Sequence, residues 1–320
     1  MSGPFGSSQW MYKSGEVIAW GGTRMISGGG TTGNGGTAAG NAATIDYVNI
    51  AGANANASDF GDLSAVRISL GAVSSTGRMV FLGGNPSYVN VMEYITPAST
   101  GNVTDFGDML VGSAGNGHQM SNGIRGVWAG PGRTAGNGGS YNDEIEYITI
   151  ASTGNGTDFG NLDVNRGGPA GSSNGIRGII WAGNIDAVPV HTKQIQYITI
   201  SSTGNATSFG QMVRIVTSHS ACGNADRNIC FGGFYGSLQD TIEYINPAST
   251  SNTTDFGNLL NPTYMIQGAE TAIRGLMNGG YGAVSYENTI QYVTFATTGN
   301  ATDFGNLAVG RYSHGSGSGA

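Results

Sequence analysis

Lysine is almost missing from this sequence. Lys13 and Lys193 stand alone beside eleven arginines, and 13 Lys+Arg against 20 Asp+Glu leave a net charge of −7. No basic run exists to form the clustered cationic face that nucleic acid requires, so nucleic acid is not an expected partner. Charged residues of all kinds make up 10%, where about 25% is usual. Two cysteines are too few for a disulfide scaffold. No apolar run approaches the roughly 18 residues of a membrane-spanning helix, so no membrane insertion is expected. Residues 1–15 lack the charged start and apolar run of a secretory signal. No window sustains a 3.6-residue period, which predicts almost no helix.

Glycine is what the chain has in excess, 57 of 320 residues. It is spaced by a repeat. A tyrosine preceded by an acidic residue or Gln recurs at Tyr47, Tyr94, Tyr147, Tyr197, Tyr244 and Tyr292. A Phe-Gly pair follows each, at Phe60, Phe106, Phe159, Phe209, Phe256 and Phe304. A glycine closing an apolar run comes 24 residues after Phe, at Gly84, Gly130, Gly183, Gly233 and Gly280. Only the stretch between that glycine and the next tyrosine changes length, as a surface loop would.

Each unit reads as four short strands, apolar runs bounded by Gly and Asn. In one unit these are Asn165–Ser172, Gly178–Ala182, Gln194–Ile200 and Thr207–Met212. Six such units predict an all-β, six-bladed β-propeller over residues 15–320. The N-terminal region supplies Val17–Gly22 and Ile45–Leu63 but no first strand. Ala308–Gly317 is expected to supply it and so close the first blade, removing the open edge.

The pattern resembles the kelch repeat over about residues 15–318. Arg311, Gly232-Gly233, Gly279-Gly280, Tyr244 and Phe256 stand where kelch blades carry Arg, a double Gly, Tyr and an aromatic. It departs in having Phe-Gly for the usual Trp, a longer outer hairpin, and Ala-Gly at Ala129-Gly130 and Ala182-Gly183. The variant Ile-Glu-Tyr-Ile-Thr with Thr-Gly-Asn-x-Thr-Asp-Phe-Gly-Asn-Leu is similar to kelch-like repeats of tailed, marine or cyanophage-type bacteriophages. Residues 1–12 are similar to the N-termini of phage virion and tail proteins. The resemblance implies a virion protein, assembled in the host cytoplasm. Residues 1–14 then form an arm that anchors to other virion proteins, with Phe5, Trp10, Met11 and Tyr12 as the anchoring residues.

Several motifs invite chemistry and are better explained structurally. Asp-Phe-Gly recurs once per unit, which no catalytic motif does; Phe is expected to fill the gap between blades and Gly to let the chain turn. Gly28-x-Gly30-x-x-Gly33 matches a dinucleotide fingerprint but has no helix after it. The sequons at Asn56, Asn102, Asn155, Asn205, Asn252 and Asn300 read as turn chemistry, the side chains bonding local backbone. Cys222 and Cys230 flank a predicted turn and read as two buried free thiols, with a bridge as the alternative. His118, His219 and His314 fall on predicted inner strands of alternate blades with matching parity, a weak candidate for a three-histidine metal site. No metal, cofactor or catalytic residue is expected.

The loops between second and third strands carry the functional expectation. They span Thr23–Thr44, Asn85–Val91, Pro131–Glu144, Asn184–Gln194, Phe234–Thr241 and Tyr281–Thr289. All should emerge on one face, which would hold Tyr88, Tyr141, Phe234, Tyr235, Tyr281 and Tyr286. Aromatic rings among Asn, Ser and Gly suit weak stacking on sugars or on a polar protein surface. The opposite face, made of uniform turns, looks passive. The sequence therefore points to a non-enzymatic tail or fibre protein contacting the host surface, with host polysaccharide as a ligand class. A ligand-free decoration of capsid or tail is the alternative, and a carbohydrate-active enzyme a minor one.

Overall fold

The computed structural model describes residues 10–13, 16–19, 22–32, 40–114, 120–130, 133–134, 141–186 and 191–320. Among them there is no α-helix. Four separate four-stranded antiparallel sheets form as blades of a β-propeller. Numbering strands from the axis outward, one blade runs Gly71–Ser74, Met79–Leu82, Val91–Ile95, Thr104–Asp108. Another runs Ser220–Gly223, Asn228–Phe231, Thr241–Ile245, Thr254–Asn258, and a third Gln267–Glu270, Arg274–Asn278, Thr289–Thr294, Thr302–Asn306. The fourth is closed by the C-terminus: Gly315–Gly319 pairs with Arg24–Gly28, which leads to Thr44–Asn49 and Ser58–Asp62.

Six separate four-stranded sheets do not form. Eight other strands join in one sheet, because Thr157–Gly167 runs on into the stretch expected to open the next unit, Asn165–Ser172, and pairs Arg166 and Gly167 with Ile185 and Asn184; the first strand there is only Ala170–Ser173. The loop expected at Asn184–Gln194 is partly strand for the same reason: Arg177–Ile185 and His191–Thr199 continue their ladder through Asn184↔His191. Two expectations near the N-terminus also change. The second strand of the first unit is Arg24–Gly28, inside the stretch read as loop, and not Val17–Gly22. Glu16–Ala19 instead pairs with Trp10–Lys13, so a hairpin straddles the expected boundary between residues 14 and 15.

Second strands are buried on both faces, as in Met79–Leu82 and Asn228–Phe231, because a blade is sandwiched between its neighbours. The apolar core is accordingly divided among the interfaces. One cluster joins Ile26, Ile45 and Phe60 to Ala72, Met79, Phe81 and Ile95; another joins Val73, Val80 and Phe106 to Trp128, Ile148 and Ile150. The inner strands contact one another in closed order: 315–319, 71–74, 120–121, 170–173, 220–223, 267–270 and back to 315–319. Gly315–Gly319 is buried throughout.

Polar staples run round the ring. Arg24, Arg78, Arg125, Arg177, Arg227 and Arg274 each lie over the tyrosine of their own unit, with guanidinium carbons 4.1–4.8 Å from the ring centroids. Each donates to a carbonyl of the next unit, at Pro97, Ile150, Ile200, Pro247, Phe295 and Gly52. The tyrosine in turn meets its Phe edge-on, at 5.7 Å for Tyr47 and Phe60.

The sequon asparagines close a second cycle. Their Oδ1 atoms accept not from local backbone, as expected, but from the outer strand of the preceding unit. Asp62, Asp108, Asn161, Gln211, Asn258 and Asn306 donate their amides to Asn102, Asn155, Asn205, Asn252, Asn300 and Asn56, each at 3.0 Å. This explains the Phe-Gly glycine better than a turn does: a Cβ on Gly160 would stand 2.5 Å from the Gly204 carbonyl of the next unit, with φ at +144°. Gly160→Ala should therefore destabilise the fold by roughly 2 kcal/mol or more. Gly299→Ala, with nothing within 4 Å of the added methyl, should stay within about 1 kcal/mol of the parent. Urea unfolding of the two variants checks this, and equal losses would remove the close-approach explanation.

Candidate functional site

Antiparallel order puts the second-to-third and fourth-to-first connections at one end of the propeller, and isolated bridges tie them together: Ile68↔Asn85, Thr217↔Phe234, Tyr264↔Tyr281 and Thr31↔Tyr312. On this face an aromatic cluster forms. Tyr281 stands edge-on to Tyr264, Tyr286 and Tyr312 at 5.5, 5.4 and 5.7 Å. Tyr286 and Tyr312 lie parallel at 5.2 Å, and Phe234 leans on Tyr264 at 6.0 Å. Gly279 and Gly280, at φ +62° and +104°, turn the chain into this cluster, a conformation that costs other residues more.

Of the expected residues, Phe234, Tyr281 and Tyr286 are brought together. Tyr235 sits apart, edge-on to His191 at 5.7 Å. Tyr141 lies against the backbone of Gly167, where no Cβ would fit. Tyr88 holds a left-handed conformation at φ +50°, with its carbonyl against Gly112. Tyr264 and Tyr312 were not anticipated. The signal was available: each is the eighth residue after its Phe, on the connection that meets the variable loop. Of the residues expected to anchor an arm, Phe5 lies outside the described residues, while Trp10, Met11 and Tyr12 sit on a hairpin strand opposite Ala19, Ile18 and Val17.

The histidines do not converge. His118 lies outside the described residues. His219 and His314 precede the inner strands and follow left-handed residues, Ser218 and Ser313 at φ +51° and +54°. The expected strand alternation therefore does not reach them. Each turns into the preceding unit: His219 Nε2 meets the Trp181 carbonyl at 3.2 Å, and His314 Nε2 meets Asn278 Oδ1 at 2.7 Å. Among the described residues no group of three His, Cys, Asp or Glu has metal-binding geometry. Cys222 and Cys230 are free and buried in different interface clusters. They lie on opposite faces of their hairpin, since Cys222 pairs with Ile229 and Cys230 with Ala221.

The residue before each repeat tyrosine is buried. Asp46, Glu93 and Glu243 pair with Arg311, Arg67 and Arg214. Arg311 also donates to the Gly29 and Thr44 carbonyls, holding the start of the loop. Gln291 takes the same place without charge and accepts from the Leu260 amide at 2.8 Å. Glu146 accepts from Leu110 and Val111 amides at 2.8 and 3.3 Å. Burial pushes its carboxyl up to about 7, against the pull of those two amides.

The opposite face is less uniform than expected, since Ile124, Ile176 and Ile273 project there at 66%, 37% and 56% exposure. A cavity of about 360 Å³ lies beside Ile273, lined also by Asn224, Arg227 and Phe295. No protein-family model and no curated protein matches this chain.

Because Glu146 ionises near 4.5 when unfolded and near 7 when folded, the folded state holds an extra proton between those values. That stabilisation is whole below about 4.5 and lost as the pH rises to about 7. Glu146→Gln should keep the amide contacts, as Gln291 does, and raise unfolding free energy at pH 8 by on the order of 2 kcal/mol. At pH 4.5 it should change little. His314 acts on the other side: burial holds it well below 6.5, so its neutral form favours the fold and acidification below about 6.5 costs stability. Denaturant titrations of parent and variant across pH 4–9 would expose a parallel offset, which would refute the assignment to Glu146.

Proposed function

We propose that this chain is a non-enzymatic virion protein of a tailed phage. Residues 1–14 anchor it to tail or fibre proteins, and the propeller presents its loop face to the host surface. The observation that carries the reading is the aromatic cluster of Phe234, Tyr264, Tyr281, Tyr286 and Tyr312, gathered on the one face whose loops vary in length. Stacked and edge-on rings spread across several loops suit contact with an external surface better than chemistry on a bound substrate. The blade count is read as six, with the eight-stranded sheet taken as two blades joined at Arg166–Gly167. The unbroken cycles of arginine and asparagine staples support that count, and the recurring Arg, Gly-Gly, Tyr and Phe positions support the kelch likeness.

A second reading, a structural adaptor on capsid or tail, draws on a different feature. Val66, Leu110, Val213, Leu260 and Val309, one per connection, are 40–65% exposed on the same face, and aliphatic side chains repeated round a ring suit a protein partner. Labelled protein applied to host cells separates the two. Host contact predicts saturable cell binding that falls about tenfold or more on Tyr281→Ala. Particles carrying a Tyr281→Ala protein at normal copy number but with unchanged adsorption would favour the adaptor. Deleting residues 1–14 should leave particles without the protein, and its retention would refute the anchor.

A further inference from the structure

We propose that Phe234, Tyr264, Tyr281, Tyr286 and Tyr312 form a binding shelf for a neutral polysaccharide. The inference rests on the reading of the loop face as the contact surface and names the ligand class of that face.

The shelf is long and continuous. Centroid steps of 6.0 Å from Phe234 to Tyr264, 5.5 Å to Tyr281 and 5.7 Å to Tyr312 cross three consecutive units. It is pre-organised, because backbone bridges Tyr264↔Tyr281, Tyr281↔Tyr286 and Thr31↔Tyr312 hold the backbone under four of its rings. Rigid aromatics lose little entropy on binding. The rings are partly open: Phe234 is 42% exposed and the four tyrosines are intermediate. They offer flat C–H-binding faces with hydroxyl edges, the pairing that a sugar ring with one apolar side and many hydroxyls can use.

Charge selects the class. Arg311, the cation adjoining Tyr312, is buried and occupied by Asp46 and backbone carbonyls. Glu287 follows Tyr286 and adds negative charge. A polymer carrying uronate, sulfate or sialate would meet no free cation among these residues and would be repelled. Burial and neighbouring phenols push the ionisation of Tyr264 and Tyr312 upward. Their hydroxyls therefore stay protonated and remain donors at neutral and mildly alkaline pH.

The test is a microarray of neutral and acidic polysaccharides probed with the full chain, followed by affinity electrophoresis in gels containing whichever polysaccharide binds. The expected result is retention by a neutral polysaccharide. Phe234→Ala, Tyr281→Ala and Tyr312→Ala should each weaken it about tenfold, while Tyr312→Phe keeps most of it and Tyr88→Ala all of it. Phe234 is exposed enough that its variant should fold even if Tyr281→Ala does not, and circular dichroism verifies each. Binding confined to acidic polysaccharides, no binding at all, or neutral binding indifferent to Phe234→Ala and Tyr312→Ala would overturn the proposal. Saturable binding to host cells without polysaccharide binding would overturn this inference while leaving the contact-face reading intact. Absence of both would overturn the two together.

Discussion

The structure depends on the arginine that opens each second strand. It stacks on the tyrosine of its own unit and donates to a carbonyl of the next. One side chain thereby fixes a strand pair internally and sets the spacing to its neighbour. Repeating the contact round the ring couples every unit to two others, and Arg274 closes the cycle by reaching Gly52. Cation–π contacts and charge-assisted hydrogen bonds are individually modest. Here they act on partly buried groups and along a closed path, so no unit can leave without breaking contacts on both sides.

This arrangement accounts for the composition. Asparagine reaching the preceding outer strand requires the loop to press against it, and the Phe-Gly glycine leaves the room. Inner strands such as Gly315–Gly319, buried throughout, need small residues to pack against one another. Glycine is therefore concentrated where backbones approach each other, and the low charge follows from blades sandwiched on both faces. The buried residue before each tyrosine shows how one position tolerates different chemistry. Three units neutralise an acid with arginine, two use glutamine, and one keeps Glu146 with a raised ionisation.

The loop face is built from variation laid on that constant frame. Arg311 holds the carbonyls at the base of one loop and the Asp46 carboxylate beneath it, which leaves Tyr312 above free to project. The aromatic rings of three neighbouring units then meet because the ring spacing is fixed below them. The aromatic shelf is a consequence of register between units and not of any one loop.

The sequence by itself determined the repeat, the strand content and the pairing of the C-terminal strand with the first unit, because period-locked apolar runs and Tyr–Phe spacing are local properties. It also carried the arginine series, 18 residues after Phe in most units, but nothing local says where such an arginine points. Only the tertiary structure decided that the sequon asparagines reach across to the preceding unit. It also decided that Thr157–Gly167 runs on into an eight-stranded sheet, that the histidines turn into separate interfaces, and that Tyr264 and Tyr312 complete the shelf. Each of those outcomes is set by contact between units some fifty residues apart, where the angle of one blade to the next governs which side chains meet.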